Sequence, residues 1–106
     1  MMTIKELIVD IPVNEIRGDV NQAVESIQSD SRKVEPGSLF VAVKGRTTDG
    51  HKFIETAVDR GACCVIAEEL DYYISERVCV IIVEDSASAL AGIASAYYGH
   101  PSKELV

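Results

Sequence analysis

The sequence predicts an α/β fold: a single domain with a mixed or largely parallel sheet of about four to six strands and packed helices. Three observations carry this. Leu39–Val43, Ala62–Ala67 and Val78–Val83 are unbroken apolar runs rich in β-branched residues, as strands covered on both faces require. Helix-period segments stand between and after these runs. A strand, a helix and a second buried strand imply parallel pairing through a right-handed crossover. The length, 106 residues, suits one domain, and a chain of this size buries roughly 60–70% of its unfolded surface.

The elements follow in order. Ile4, Leu7, Ile8 and Ile11 recur at helical spacing, so a helix runs from Thr3, a possible N-cap, to Ile11, and Pro12 ends it. Asn14–Arg17 reads as a short strand and Gly18-Asp19 as a turn. Val24 to Gln28 alternates apolar and polar residues, the pattern of a half-buried strand. Asp30 to Glu35 is polar loop, and Pro36-Gly37 is a turn. Leu39–Val43 is the central strand, closed by Gly45. Asp49 then caps a helix with Phe53, Ile54, Ala57 and Val58 on its buried stripe and Gly61 as its stop. Asp85 or Ser86 caps the last helix, whose Leu90, Ile93, Ala94, Tyr97 and Tyr98 form the inner face. Gly99 and Pro101 end it. The tail 100–106 reads as the start of a further strand.

Apolar residues make up 47% and charged residues 25%, which excludes intrinsic disorder. No stretch of about 18 apolar residues spans a membrane, and no basic start followed by an apolar run marks a secretory signal; the expected location is the cytoplasm. The net charge of −7 argues against polyanionic partners such as nucleic acid or an anionic membrane. The charge is uneven: Gln28–Lys52 carries +2 and the remainder −9, so one small anionic ligand is tolerated near that window. Cys63, Cys64 and Cys79 have no metal or disulfide spacing and read as small buried hydrophobes.

No Walker loop, no G-x-G-x-x-G, no G-x-S-x-G and no H-E-x-x-H is present, so the residues point to a binding domain rather than a complete enzyme. Two loops stand out. Ser29-Asp30-Ser31-Arg32 leaves one strand, and Lys44 to His51 leaves the central strand and opens a helix. Open α/β sheets bind ligands outside the carboxyl ends of their strands. Free amides at a helix start suit an anion, and Ser, Thr and backbone amides suit sugar hydroxyls and base edges. The plainer alternative is an Asx or Ser/Thr turn at Asp30-Ser31, a simple cap at Asp49, and solvated Arg32 and His51 side chains.

The ordered run S-D-S-R-K-V-x-P-G-S-L-F-V-A-V-x-G (29–45), followed by D-G-H-x-F-I-x-x-A (49–57) and Gly61-Ala62, resembles the N-terminal domain of the Mur ligases. Its closest branch is the UDP-N-acetylmuramoyl-tripeptide synthetases. Tyr98-Gly99-His100-Pro101-Ser102 is similar to the family's interdomain junction. The resemblance implies a UDP-N-acetylmuramoyl-peptide-binding domain over 1–100 and a junction over 101–106. It implies a parent ligase whose absent central domain binds ATP and magnesium and whose absent C-terminal domain binds the incoming amino acid. That parent phosphorylates the peptide's terminal carboxylate and joins meso-diaminopimelate or L-lysine to UDP-MurNAc-L-Ala-D-Glu in peptidoglycan synthesis. The chain itself would bind the substrate without catalysing ligation, and would need no cofactor of its own.

Carried over by position, the nucleotide contacts fall on Ser31 and Ser29 and on the triplet Arg46, Thr47 and Thr48. Arg46 departs from the histidine seen in some relatives, and its guanidinium could reach a pyrophosphate oxygen. Asp30 and Arg32 would brace the first loop, and Asp49 would fix the exit of the second. Two alternatives remain open at this stage: the sister ligase that adds D-alanyl-D-alanine (MurF), and an interaction module with no nucleotide role.

Overall fold

The computed structural model describes residues 2–45 and 49–99. Five strands form one sheet in the order β1-β5-β4-β3-β2. They are β1 (Glu15–Arg17), β2 (Ser26–Gln28), β3 (Ser38–Val41), β4 (Cys64–Ala67) and β5 (Cys79–Ile82). β2, β3, β4 and β5 run parallel, and β1 closes one edge antiparallel to β5. Helices α1 (Ile4–Leu7), α2 (Ile54–Asp59) and α3 (Ser86–Tyr97) pack on the sheet.

The apolar runs are unbroken because each face of the sheet has its own core. Leu39, Val41, Cys64, Ile66, Cys79 and Ile81 point to the side of α1 and α3. Phe40, Ala42, Val65, Ala67, Val80 and Ile82 point to the side of α2. This is the two-residue period of a strand with apolar cover on both sides. Phe40 is fully buried at the centre. Burying a side chain of that size contributes about 1.5–3 kcal/mol.

The first helix is one turn, shorter than its apolar spacing predicts. Thr3 caps it through a complete capping box with Glu6. The chain then turns away, Ile11 N–H bonding to the Ile8 carbonyl, and leaves Val9 73% exposed. Strand pairing in the second segment starts only at Ser26. Val24 enters the core ahead of it, its N–H donating to the Met2 carbonyl, so Val24 and Ile27 share a core face without strict alternation. The central strand pairs over Ser38–Val41, with Ala42 N–H continuing to the Ile66 carbonyl.

The helix after Asp49 has two parts, a 3₁₀ turn over Gly50–Phe53 and then α2. The tighter turn rotates Phe53 out of the predicted buried stripe, leaving it 40% exposed while Ile54 and Ala57 fill the core. Gly61 ends α2 at φ +103°, and a Cβ there would lie 2.7 Å from the Pro36 Cα. Both the positive φ and the close approach call for glycine. Asp85 is the cap of α3, accepting from Ser88 N–H. The inner face of α3 runs through Ser86, Ala89 and Ile93, with Tyr97 packed at its rim. Tyr98, predicted on that face, is 66% exposed, because it follows Tyr97 by one residue and so lies about 100° further round the helix. Cys64 and Cys79 are fully buried register partners, and Cys63 is half-buried. The tail 100–106 lies outside the described residues.

Candidate functional site

β2 and β3 are adjacent and parallel, so their carboxyl ends release two loops on the same edge of the sheet. Those loops meet at a cleft of about 460 Å³. Ser29, Asp30, Ser31 and Arg32 line it from the first loop, and Val43, Gly45, Gly50 and Phe53 from the second. The volume falls within the usual range for small-ligand pockets, about 300–1,000 Å³. Arg46, Thr47 and Thr48 lie outside the described residues; Gly45, just before them, and Gly50, two residues after them, both line the cleft.

The first wall is a 3₁₀ turn, Ser31–Lys33, capped by Asp30. Asp30 Oδ1 accepts from the Arg32 N–H (3.0 Å) and from Arg32 Nε (3.1 Å), and Oδ2 accepts from Arg32 Nη2 (2.9 Å). The guanidinium and the amide of Arg32 together hold the Asp30 carboxyl down to about 2. The Asp30–Arg32 fork therefore fixes the turn from its solvent side. Ser31 is the buried member of this wall, 6% exposed. Its side chain lines the cleft. Ser29 is exposed at the mouth.

The second wall depends on close backbone approach. Gly50 N–H donates to the Val43 carbonyl (2.8 Å), and a Cβ on Gly50 would sit 2.8 Å from the Val43 nitrogen. A side chain there would push apart the exit of β3 and the start of the 3₁₀ turn. Asp49 accepts from the His51 N–H, which lowers its carboxyl pKa. His51, read from the sequence as solvated, is instead only 16% exposed in its side chain, with both ring nitrogens engaged. Its Nδ1 lies 2.6 Å from Asp49 Oδ1, and its Nε2 accepts from the Glu68 N–H at 2.9 Å. A backbone N–H can only donate, so Nε2 is the unprotonated nitrogen and Nδ1 carries the proton toward Asp49.

Three contributors escaped the sequence reading. Phe53 was counted as core because its spacing fits the helix stripe; Gly50, near the end of the second loop, was the available sign of a tight start. Glu68 and Ser86 belong to the hydrogen bonds behind the loop. No local pattern links them to it, since parallel crossovers join these distant segments.

Among the described residues no group of three His, Cys, Asp or Glu side chains is placed to hold a metal ion. No helix in that part of the chain is long and apolar enough to cross a membrane.

Residues 23–98 match the family model described as "Mur ligase family, catalytic domain". The UDP-N-acetylmuramoyl-L-alanyl-D-glutamate–2,6-diaminopimelate ligase of Cytophaga hutchinsonii is 46% identical over 98% of this chain and 22% of its own length. The enzyme of that name in Phocaeicola vulgatus is 42% identical, with the same two shares. UDP-N-acetylmuramyl-tripeptide synthetase 2 of Oceanobacillus iheyensis is 36% identical over 98% of this chain and 21% of its own. Among solved structures, MurF from Acinetobacter baumannii superposes with a TM-score of 0.63 at 26% identity, covering 89% of this chain and 20% of that one. MurF ligase from Thermotoga maritima in complex with ADP gives 0.55 at 38% identity, covering 69% and 16%. The chain thus spans about a fifth of the length of the curated relatives it matches.

Proposed function

Because the chain belongs to the Mur ligase family, we propose that it is the domain that docks the uridine diphosphate end of UDP-MurNAc-L-Ala-D-Glu for a ligase of the tripeptide-synthetase branch. The carrying observation is that Ser31, Gly45, Gly50 and Phe53 line one cleft at the carboxyl ends of two adjacent parallel strands. A buried serine and backbone amides suit the hydrogen-bonding edge of a base or the hydroxyls of a ribose. The flanking sequence window is the net-positive part of an otherwise acidic chain, which suits a diphosphate. Arg46, Thr47 and Thr48 extend this proposal to the loop between Gly45 and Asp49, with the Arg46 guanidinium on a phosphate oxygen.

The chain's own role is to bind and orient. It carries no G-x-x-x-x-G-K-[ST] motif. The carboxylate activation and amide-bond formation are proposed for the whole ligase, of whose relatives this chain spans about a fifth. The solved structures it superposes on favour a second reading, docking for the D-alanyl-D-alanine-adding ligase. The curated relatives at 36–46% identity favour the tripeptide branch.

Titration with UDP-MurNAc-dipeptide, followed by backbone amide shifts, tests the proposal. Shifts at Ser29–Arg32, Gly45 and Gly50 are expected. A folded protein whose cleft amides stay still at millimolar ligand would remove it and leave the interaction-module reading.

A further inference from the structure

Behind the cleft, a continuous path of hydrogen bonds joins the two stems of the second loop. Lys44, at the loop entry, donates its N–H to Ser86 Oγ (3.0 Å). Ser86 donates both its N–H (2.9 Å) and its hydroxyl (2.8 Å) to Glu68 Oε2. Glu68 donates its N–H to His51 Nε2, and His51 Nδ1 donates to Asp49 at the loop exit. Lys44 and Asp49 also pair as an antiparallel bridge, which closes the ring. Its members come from three residues after β3, the start of the 3₁₀ turn, the residue after β4 and the first residue of α3.

Each link has one direction. Ser86 is fully buried and uses its hydroxyl both as donor and as acceptor. The two donations from Ser86, the backbone one foremost, hold the Glu68 carboxyl below its ordinary pKa, so it stays an acceptor. His51 must be neutral with its proton on Nδ1. Reversing any one group leaves a donor facing a donor, or an acceptor facing an acceptor, in a half-buried setting. The stem spacing is thus set by three side chains that do not line the cleft.

We propose that His51, Glu68 and Ser86 are positioning residues for ligand binding: they fix the Lys44 and Asp49 stems, and thereby Gly45 and Gly50, in the geometry that the ligand meets. This inference rests on the docking reading above, and its test separates the two.

The variants are S86A, H51A and H51Q. The probes are hydrogen exchange at the Lys44 and Gly50 amides without ligand, and affinity for uridine 5′-diphosphate. S86A and H51A are expected to speed exchange at these two amides at least tenfold and to weaken uridine diphosphate about tenfold or more. Exchange in β4 and β5 should hold in both. H51Q, whose amide oxygen can accept the Glu68 N–H, is expected to recover most of both losses; a side chain that only fills space would give no such recovery. Folded H51A with wild-type exchange at both amides would overturn the proposal whatever the ligand does. Wild-type affinity in H51A, for a wild-type protein that does bind uridine diphosphate, would overturn it too. If the wild-type protein binds none, the docking reading fails, and the exchange rates alone decide whether the stems are positioned this way. S86A empties a buried site; should it unfold, the H51A and H51Q pair carries the test.

Discussion

The Asp30–Arg32 pair is the most heavily bonded feature of the first cleft wall, and its acid–base behaviour is measurable. The carboxyl is held down to about 2, against 3.8 for an unpaired aspartate. A depressed native value means that the carboxylate favours the folded state above the unfolded pKa, and that this contribution disappears as pH falls through about 2. Carbon-13 titration of the Asp30 carboxyl should give a midpoint near 2, and R32A should move it up toward the ordinary value. A midpoint near 3.8 in the wild-type protein would mean that the fork does not form in solution. Ser31 is tested differently. If its hydroxyl pairs with a buried ligand atom, S31A leaves that atom unpaired and costs about 1–3 kcal/mol, roughly a 5- to 150-fold loss of affinity measurable by calorimetry. Both residues were legible as candidates from the D-S-R motif. The ring pairing of His51 was not: its partner Glu68 stands 17 residues away and becomes a neighbour only through the β3–β4 pairing.

At the scale of elements, local chemistry told where structure starts and stops better than how long it lasts. The capping box at Thr3, the cap at Asp85 and the glycine at 61 act on nearest neighbours in sequence, so their residue types suffice to find them. The lengths of α1 and α2 depend on what packs against them. Ile8 and Ile11 fit a helical stripe, yet both are satisfied by core contacts made from a turn. The Gly61 stop gives a sharp prediction. G61A forces a side chain into positive φ and against the Pro36 backbone, which should destabilise the domain by at least about 1–2 kcal/mol. Urea unfolding should register this as a lower midpoint with an unchanged slope. An unaltered midpoint would contradict the tight α2–Pro36 approach.

For the whole molecule, the decisive fact is topological. A parallel order β2-β3-β4-β5 puts the exits of β2 and β3 side by side, and the two polar loops then form one cleft with no further device. The three unbroken apolar runs made the parallel sheet legible, because only strands covered on both faces can be apolar throughout. The edge pairing of β1, three exposed residues with weak patterning, was not legible in the same way: its place beside β5 is set by tertiary packing alone. Overall acidity does not oppose this site, because the basic residues are concentrated in the window that contains both loops. The most direct measurement is the amide-shift map of the 106-residue protein titrated with uridine 5′-diphosphate. The account predicts shifts confined to the Ser29–Arg32 turn and to Gly45, Gly50 and Phe53. Shifts clustered instead around Arg17, Tyr72 and Val78, at the opposite end of β5 from its carboxyl terminus, would contradict it.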